Sequence, residues 1–135
     1  MHITENERIV RQFYNWALDQ NPDFMTLLDE FIIWIEPGAP DVPFGGVYNG
    51  HAGVGAMLQS ETNSLHLKGL IPKTYFASQN LVVVLGSDSA TVLTTGKTYT
   101  TDWAMFFTIL DGKISMVQTY MDTNAIAKAF RGQEA

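Results

Sequence analysis

Hydrophobic and polar positions follow helical spacing in the first half of the chain and a period of two from residue 65 onward. Ile9, Val10, Phe13, Tyr14, Ala17 and Leu18 recur at helical spacing and form one apolar stripe. Thr4-Glu5-Asn6-Glu7 ahead of them matches a capping box, in which Thr4 caps the amide of Glu7 and Glu7 reaches back. Asn21-Pro22-Asp23 ends this helix and predicts a second, with Asn21 as cap and Pro22 at the first helical position. Phe24, Leu27, Leu28 and Phe31 continue it at i, i+3, i+4, i+7. The run 31–36 reads as a strand, with Ile32, Trp34 and Glu36 on one face and Phe31, Ile33 and Ile35 on the other. A strand apolar on both faces is covered on both sides. Pro37-Gly38, Pro40, Pro43 and Gly45-Gly46 predict a long loop, of the kind that forms lids and binding loops. Tyr48-Asn49-Gly50 reads as a turn into a third helix over 51–62, with Val54, Met57 and Leu58 inward.

The alternating half predicts strands over 65–78, 81–94, 97–110 and 114–121. Turns at Gln79-Asn80, Thr95-Gly96 and Asp111-Gly112 separate them, the last a strong hairpin signal. Gly86-Ser87-Asp88 looks like a bulge or bend inside the second of these strands. Asp122 or Thr123 caps a final helix through Ile126 and Phe130. This order predicts an α+β fold in one domain spanning 1–135, with helices on one face of a curved sheet.

Composition narrows the function. A chain of 135 residues is one domain with room for a real core. A net charge of −6 and no lysine or arginine cluster argue against nucleic acid as a partner. No apolar run reaches about 18 residues, so no membrane span is expected, and the N-terminus MHITENER is unlike a secretory signal. A cytoplasmic location is the resulting expectation. With no cysteine there is no disulfide framework, thiolate nucleophile or cysteine-based zinc site. His2, His51 and His66 lack ligand spacing, so no metal is expected. Gly45-Gly46 and Gly53-x-Gly55 do not form a strand–GxGxxG–helix unit, so no nucleotide cofactor is expected either.

Glu36 is the first candidate for chemistry. It ends a buried row beside Trp34, under a proline-rich loop, where a carboxylate costs free energy unless it is paired, protonated or partly wet. Lost solvation predicts a pKa above the ordinary glutamate value of about 4.3. Tyr14 reads either as a core tyrosine with a backbone partner or as a phenol aimed into a cavity. His51 reads either as an exposed residue at a helix start or as a proton shuttle at a cavity mouth. Trp103, Met105 and Phe107 share a strand face, as do Met116, Gln118, Tyr120 and Asp122. Asp122 has a plain role as a helix cap, and Asp41 and Asp102 read as solvated.

The run FYNWAL, the WIEPGAP…PFGGVYNG stretch, LVVVLG, TTGK…TDWAMFFTILDGKI and the closing TYMDT together resemble the SnoaL-like, ketosteroid-isomerase-like branch of the nuclear transport factor 2-like superfamily, over residues 7–130. The resemblance implies a cone: a strongly bent, mainly antiparallel sheet wrapped around three N-terminal helices, with a short C-terminal helix and a deep apolar pocket. It implies a homodimer paired through the sheet. Val82, Val84, Phe106 and Val117 are candidate contributors, although alternation alone does not decide which set faces out. Ketosteroid isomerases use a carboxylate base on the first strand, with an oxyanion hole made by a helix tyrosine and a protonated aspartic acid. Laid along this chain, the tyrosine falls on Tyr14, the base on Glu36 and the second acid on Met105, which cannot donate a hydrogen bond. The resemblance further implies a small hydrophobic ligand held among Trp34, Phe44, Tyr48, His51, Trp103, Met105, Phe107, Tyr120 and Asp122. Two functions stay open. One is a cofactor-independent enzyme performing isomerisation, dehydration or cyclisation on a small apolar carbonyl compound, with Glu36 and Tyr14 catalytic. The other is a non-catalytic binding module for a hydrophobic metabolite. A domain used only for protein association ranks behind both.

Overall fold

The computed structural model describes residues 3–38 and 40–133. The first apolar stripe becomes helix α1 (Glu5–Leu18), capped at Thr4, whose side chain accepts from the Glu7 amide at 3.1 Å. Val10, Phe13 and Tyr14 are its buried face. The predicted second helix is only a single 3-10 segment, Pro22–Leu27, entered through Asn21, whose side chain accepts from the Asp23 amide. Leu28 already opens strand β1 (Leu28–Glu36). Four apolar residues are too few to sustain a helix against the β-branched, aromatic run that follows them. Phe31 therefore lies on a strand and is 78% exposed.

The loop after Glu36 closes back on itself and returns as β2 (Gly46–Asn49), which pairs antiparallel with β1. Tyr48 and Asn49 are thus strand residues rather than a turn, and the chain bends at Gly50, with φ +72°. Helix α2 (Gly50–Ser64) follows and packs against β1. Strands β3 (Leu65–Ser78), β4 (Leu81–Val92), β5 (Thr98–Leu110) and β6 (Lys113–Met121) match the alternating segments closely. Asp111 and Gly112 both have positive φ, as a two-residue type I′ hairpin requires. The six strands form one curved sheet in the order β2-β1-β6-β5-β4-β3. Every pairing is antiparallel except β1 with β6. Helix α3 (Thr123–Phe130) is capped by Asp122, which accepts from the Ala125 amide at 3.1 Å. No helix among the described residues is long and apolar enough to cross a membrane.

The helices cover one face of the sheet. Val82, Val84 and Val117, weighed as dimer contributors, belong to that inner face and are fully buried; Phe106 is on the other face. Phe31, Ile33, Leu81 and Leu85 stay exposed on the outer side, so this chain alone covers β1 on one face only. The proline-rich loop is tied down as well. Gly38 and Gly45 touch backbone to backbone, and a Cβ on Gly38 would meet Gly45 Cα at 2.7 Å. Val42 and Phe44 are driven into a second core against α3, and Asp41 pairs with Arg131 at 2.9 Å.

The expected bulge at Gly86-Ser87-Asp88 is absent from β4, whose register with β5 is unbroken. The irregularities are in β3, where the register with β4 shifts between Leu67 and Gly69 and between Pro72 and Thr74. Gly86 serves another purpose. It sits directly opposite Trp103, and a Cβ there would lie 2.5 Å from the indole and 2.5 Å from the Ile71 carbonyl. Gly86→Ala is therefore expected to lower unfolding free energy by about 1–3 kcal/mol in denaturant titration. Gly55→Ala, on an exposed turn of α2 where a Cβ meets nothing within 4 Å, is expected to raise it by about 0.5–1 kcal/mol.

Candidate functional site

A cavity of about 700 Å³ lies between α1, α2 and the inner face of the sheet. Phe13 and Tyr14 reach it from α1, Met57, Leu58 and Glu61 from α2, and Trp34 and Glu36 from β1. Asp88 reaches it from β4, Tyr99, Trp103 and Met105 from β5, and Thr119 and Met121 from β6. Strand alternation puts each of these strand residues on the inner face.

Glu36 is buried at the end of its row, and the Trp34 indole N–H donates to its Oε1 at 3.0 Å. Burial raises its pKa, while the Trp34 hydrogen bond first, then the Glu61 carboxyl and the nearby Thr119 hydroxyl pull the other way. Glu61 is pushed well above the carboxylate range, first by burial, then by the charge of Glu36 and by the hydrogen bond it gives to Glu36. Both carboxyls are thus held above the usual range by burial, and they titrate as a pair that resists losing its last proton. Asp88 is a third acid on the wall of the same cavity. Burial first and the Glu36 charge second raise it to about 7. The Tyr99 phenol is raised by burial and then by Asp88, Glu61 and Glu36.

Tyr14 is fixed from several sides. Its ring stacks on Trp103 with centroids 5.9 Å apart and meets the edge of Phe107 at 5.8 Å. Its hydroxyl donates to Met105 Sδ at 2.9 Å. Burial, then Tyr75 and Glu36, hold its pKa well above the usual value, so the phenol keeps its proton. A thioether is a weak acceptor, so a carbonyl oxygen entering the cavity would compete for this donor with advantage.

Of the residues singled out in the sequence, Tyr14, Trp34, Glu36, Phe44, Trp103 and Met105 line the cavity. Tyr48, His51, Phe107, Tyr120 and Asp122 do not. Tyr48 donates to the Phe44 carbonyl at 2.7 Å and helps hold the loop. His51 Nε2 is bound to the Leu28 carbonyl at 2.9 Å, at an exposed helix start. Phe107 is core behind Phe13 and Tyr14. Tyr120 lies on the outer face, 52% exposed, because β6 turns Val117, Thr119 and Met121 inward instead of Gln118 and Tyr120. Asp122 is occupied as the α3 cap. His2 lies outside the described residues, and among those described no group of three metal-binding side chains comes together.

Glu61 and Asp88 escaped the sequence reading, yet each carried a signal. Glu61 continues the Val54, Met57, Leu58 stripe at the next inward position. Asp88 continues the inward row Val82, Val84, Gly86.

The three raised carboxyls fix how stability depends on pH. Each binds its proton more tightly in the folded than in the unfolded chain, so folding is favoured below the unfolded carboxyl range near 4. That contribution is lost as pH rises through the folded values, which for Asp88 means about 7. The thermal midpoint is expected to fall between about pH 5 and about pH 8, and to fall less in Glu61→Gln and in Asp88→Asn. A native midpoint that is level or rising over that range, measured by calorimetry, contradicts the buried proton.

No functionally curated protein matches the chain. Solved structures do. A nuclear transport factor 2-like protein from Burkholderia xenovorans LB400 is 29% identical, with a TM-score of 0.85 over 96% of this chain and 98% of its own. TerC, co-crystallised with polyporic acid, is 24% identical with a TM-score of 0.85, covering 95% of this chain and 99% of its own. A candidate isomerase from Bacillus subtilis is 22% identical with a TM-score of 0.78, covering 98% and 99%. The family model described as the SnoaL-like domain matches residues 10–117, a span that holds Tyr14, Glu36, Glu61, Asp88 and Met105, and the chain belongs to the SnoaL-like domain family.

Proposed function

We propose that this protein is a cofactor-independent acid–base enzyme acting on a small apolar carbonyl compound. The observation that carries this reading is the Glu36–Glu61 pair, two carboxyls on the cavity wall whose pKa values are both raised, burial first. Glu36, in its ionised form, takes a hydrogen from the carbon next to the carbonyl. The electron pair of that bond moves onto the carbonyl oxygen, and Tyr14 donates to the oxyanion after leaving Met105. Return of the proton from the Glu36–Glu61 pair to another carbon completes an isomerisation. Elimination of a hydroxyl or attack of the enolate on a second carbonyl gives dehydration or cyclisation from the same intermediate. Burial favours the exchange, because proton uptake by Glu36 neutralises a charge that the cavity solvates poorly.

Met105 favours a second reading. It stands where the related isomerases carry an acid, and it already accepts the Tyr14 hydrogen bond. A protein that only binds a hydrophobic metabolite needs no second oxyanion donor.

One experiment separates the two. Binding and turnover are measured for small cyclic ketones and enones, with polyporic acid included, on the native protein and Glu36→Gln. The enzyme reading expects Glu36→Gln to keep affinity within about threefold and to lose turnover by about 10²–10⁴-fold, together with its acidic pH limb. Equal turnover in both proteins removes Glu36 as the base. Binding without turnover across the panel favours the binding module.

We also propose that the outer sheet face pairs two copies of the chain. Ile71, Phe76, Leu81 and Leu85 are exposed there on two long neighbouring strands, and large apolar side chains grouped on one exposed face mark an interaction surface. Sedimentation at micromolar concentration is expected to give a dimer, and Leu85→Glu a monomer. A native protein that sediments only as monomer contradicts the pairing.

A further inference from the structure

We infer that the cavity selects a neutral, mainly apolar ring compound bearing both a hydroxyl and a carbonyl-type oxygen, the hydroxyl bonding to Asp88 and the oxygen to the indole N–H of Trp103, with its second lone pair left for Tyr14. This names the ligand class of the cavity and rests on that cavity being the site of the acid–base reading. Among the described residues, three buried side-chain polar atoms lack a hydrogen-bond partner: Asp88 Oδ1, Trp103 Nε1 and Thr119 Oγ1. All three residues line this one cavity. Native proteins leave few such atoms, and each asks for an explanation. Thr119 neighbours Glu36 and favours its charged form, so it belongs with the acid pair. Asp88 and Trp103 take part in neither the Glu36–Glu61 bond nor the Tyr14–Met105 bond.

Their placement constrains what could satisfy them. Trp103 faces Gly86 across the β4–β5 ladder, and Asp88 faces Thr101, so Asp88 and Trp103 are diagonal neighbours on the inner face. Diagonal pairs sit about 7–8 Å apart or less, which one fused ring system spans. The indole can only donate, and a carboxylate can only accept, so the ligand must offer one acceptor and one donor. The indole is locked, with its face on Tyr14 and its edge in the space left by Gly86. Charge excludes an anionic ligand. Among the described residues no lysine or arginine lines the cavity, and His66 is the one basic side chain there against the three acids Glu36, Glu61 and Asp88. The rest of the wall is apolar and aromatic, and about 700 Å³ suits a compound of two or three rings.

The test is calorimetric binding of three probes at about pH 8, above the Asp88 value of about 7. The probes are the hydroxytetralone with its hydroxyl meta to the carbonyl, which stays un-ionised there, its methyl ether, and the hydroxytetralin lacking the carbonyl. Hydroxytetralone is expected to bind about tenfold or more tighter than either analogue. Asp88→Leu is expected to abolish the preference over the ether and keep that over hydroxytetralin. Trp103→Phe, which keeps a ring against Tyr14, is expected to do the reverse. Equal binding of hydroxytetralone and its ether by the native protein overturns the inference. So does an absence of binding by all three at millimolar concentration. Neither result depends on turnover or on Glu36→Gln, so failure here is separable from failure of the catalytic reading.

Discussion

Two carboxyls cannot both be charged at close range in a space that water solvates poorly, and the Glu36–Glu61 pair meets this constraint by keeping a proton. The neighbouring side chains follow from it. Trp34 supplies an N–H to Glu36. Asp88 and Tyr99 feel the Glu36 charge and hold their own protons more tightly. The wall offers no lysine or arginine among the described residues, only His66, so retained protons carry much of the compensation. A pair arranged this way has an acceptor and a donor side by side, which is the equipment for moving a hydrogen between two positions of one substrate.

The fold holds the pair in place through its most irregular parts. Glu36 is the last residue of β1, and the Gly38–Gly45 backbone contact turns the loop tightly enough to bring Phe44 over the cavity. Helix α3 anchors that loop through Phe130 and Arg131. On the opposite wall, the missing side chain of Gly86 admits the Trp103 ring, and Trp103 in turn carries Tyr14. Tyr14 and Trp103 are therefore set by a glycine on a neighbouring strand, far from either in sequence.

Much of this was legible beforehand, and the misses have physical causes. The long strands and their turns were readable because period two persists over many residues and Asp111-Gly112 has one preferred geometry. Glu36 stood out because a carboxylate ended a row of large apolar residues. Glu61 did not, since a glutamate at the end of a helix normally reaches water and only its place on the stripe pointed inward. Asp88 was hidden by its neighbours: Gly86-Ser87 looks like a bend, whereas the glycine is there for an indole. On β6, alternation offers two sets of residues and does not choose between them. Pairing with β1 on one side and β5 on the other makes the choice, turning Thr119 inward and Tyr120 outward.

The retained proton can be observed directly. Infrared spectroscopy distinguishes the carbonyl stretch of a protonated carboxylic acid from that of a carboxylate. At neutral pH the Asp88→Asn protein, in which Asp88 no longer titrates, is expected to show a protonated-carboxyl band that disappears when Glu61→Gln is added. An Asp88→Asn spectrum with no such band at neutral pH would contradict the central claim, leaving Glu36 and Glu61 as two separate charges.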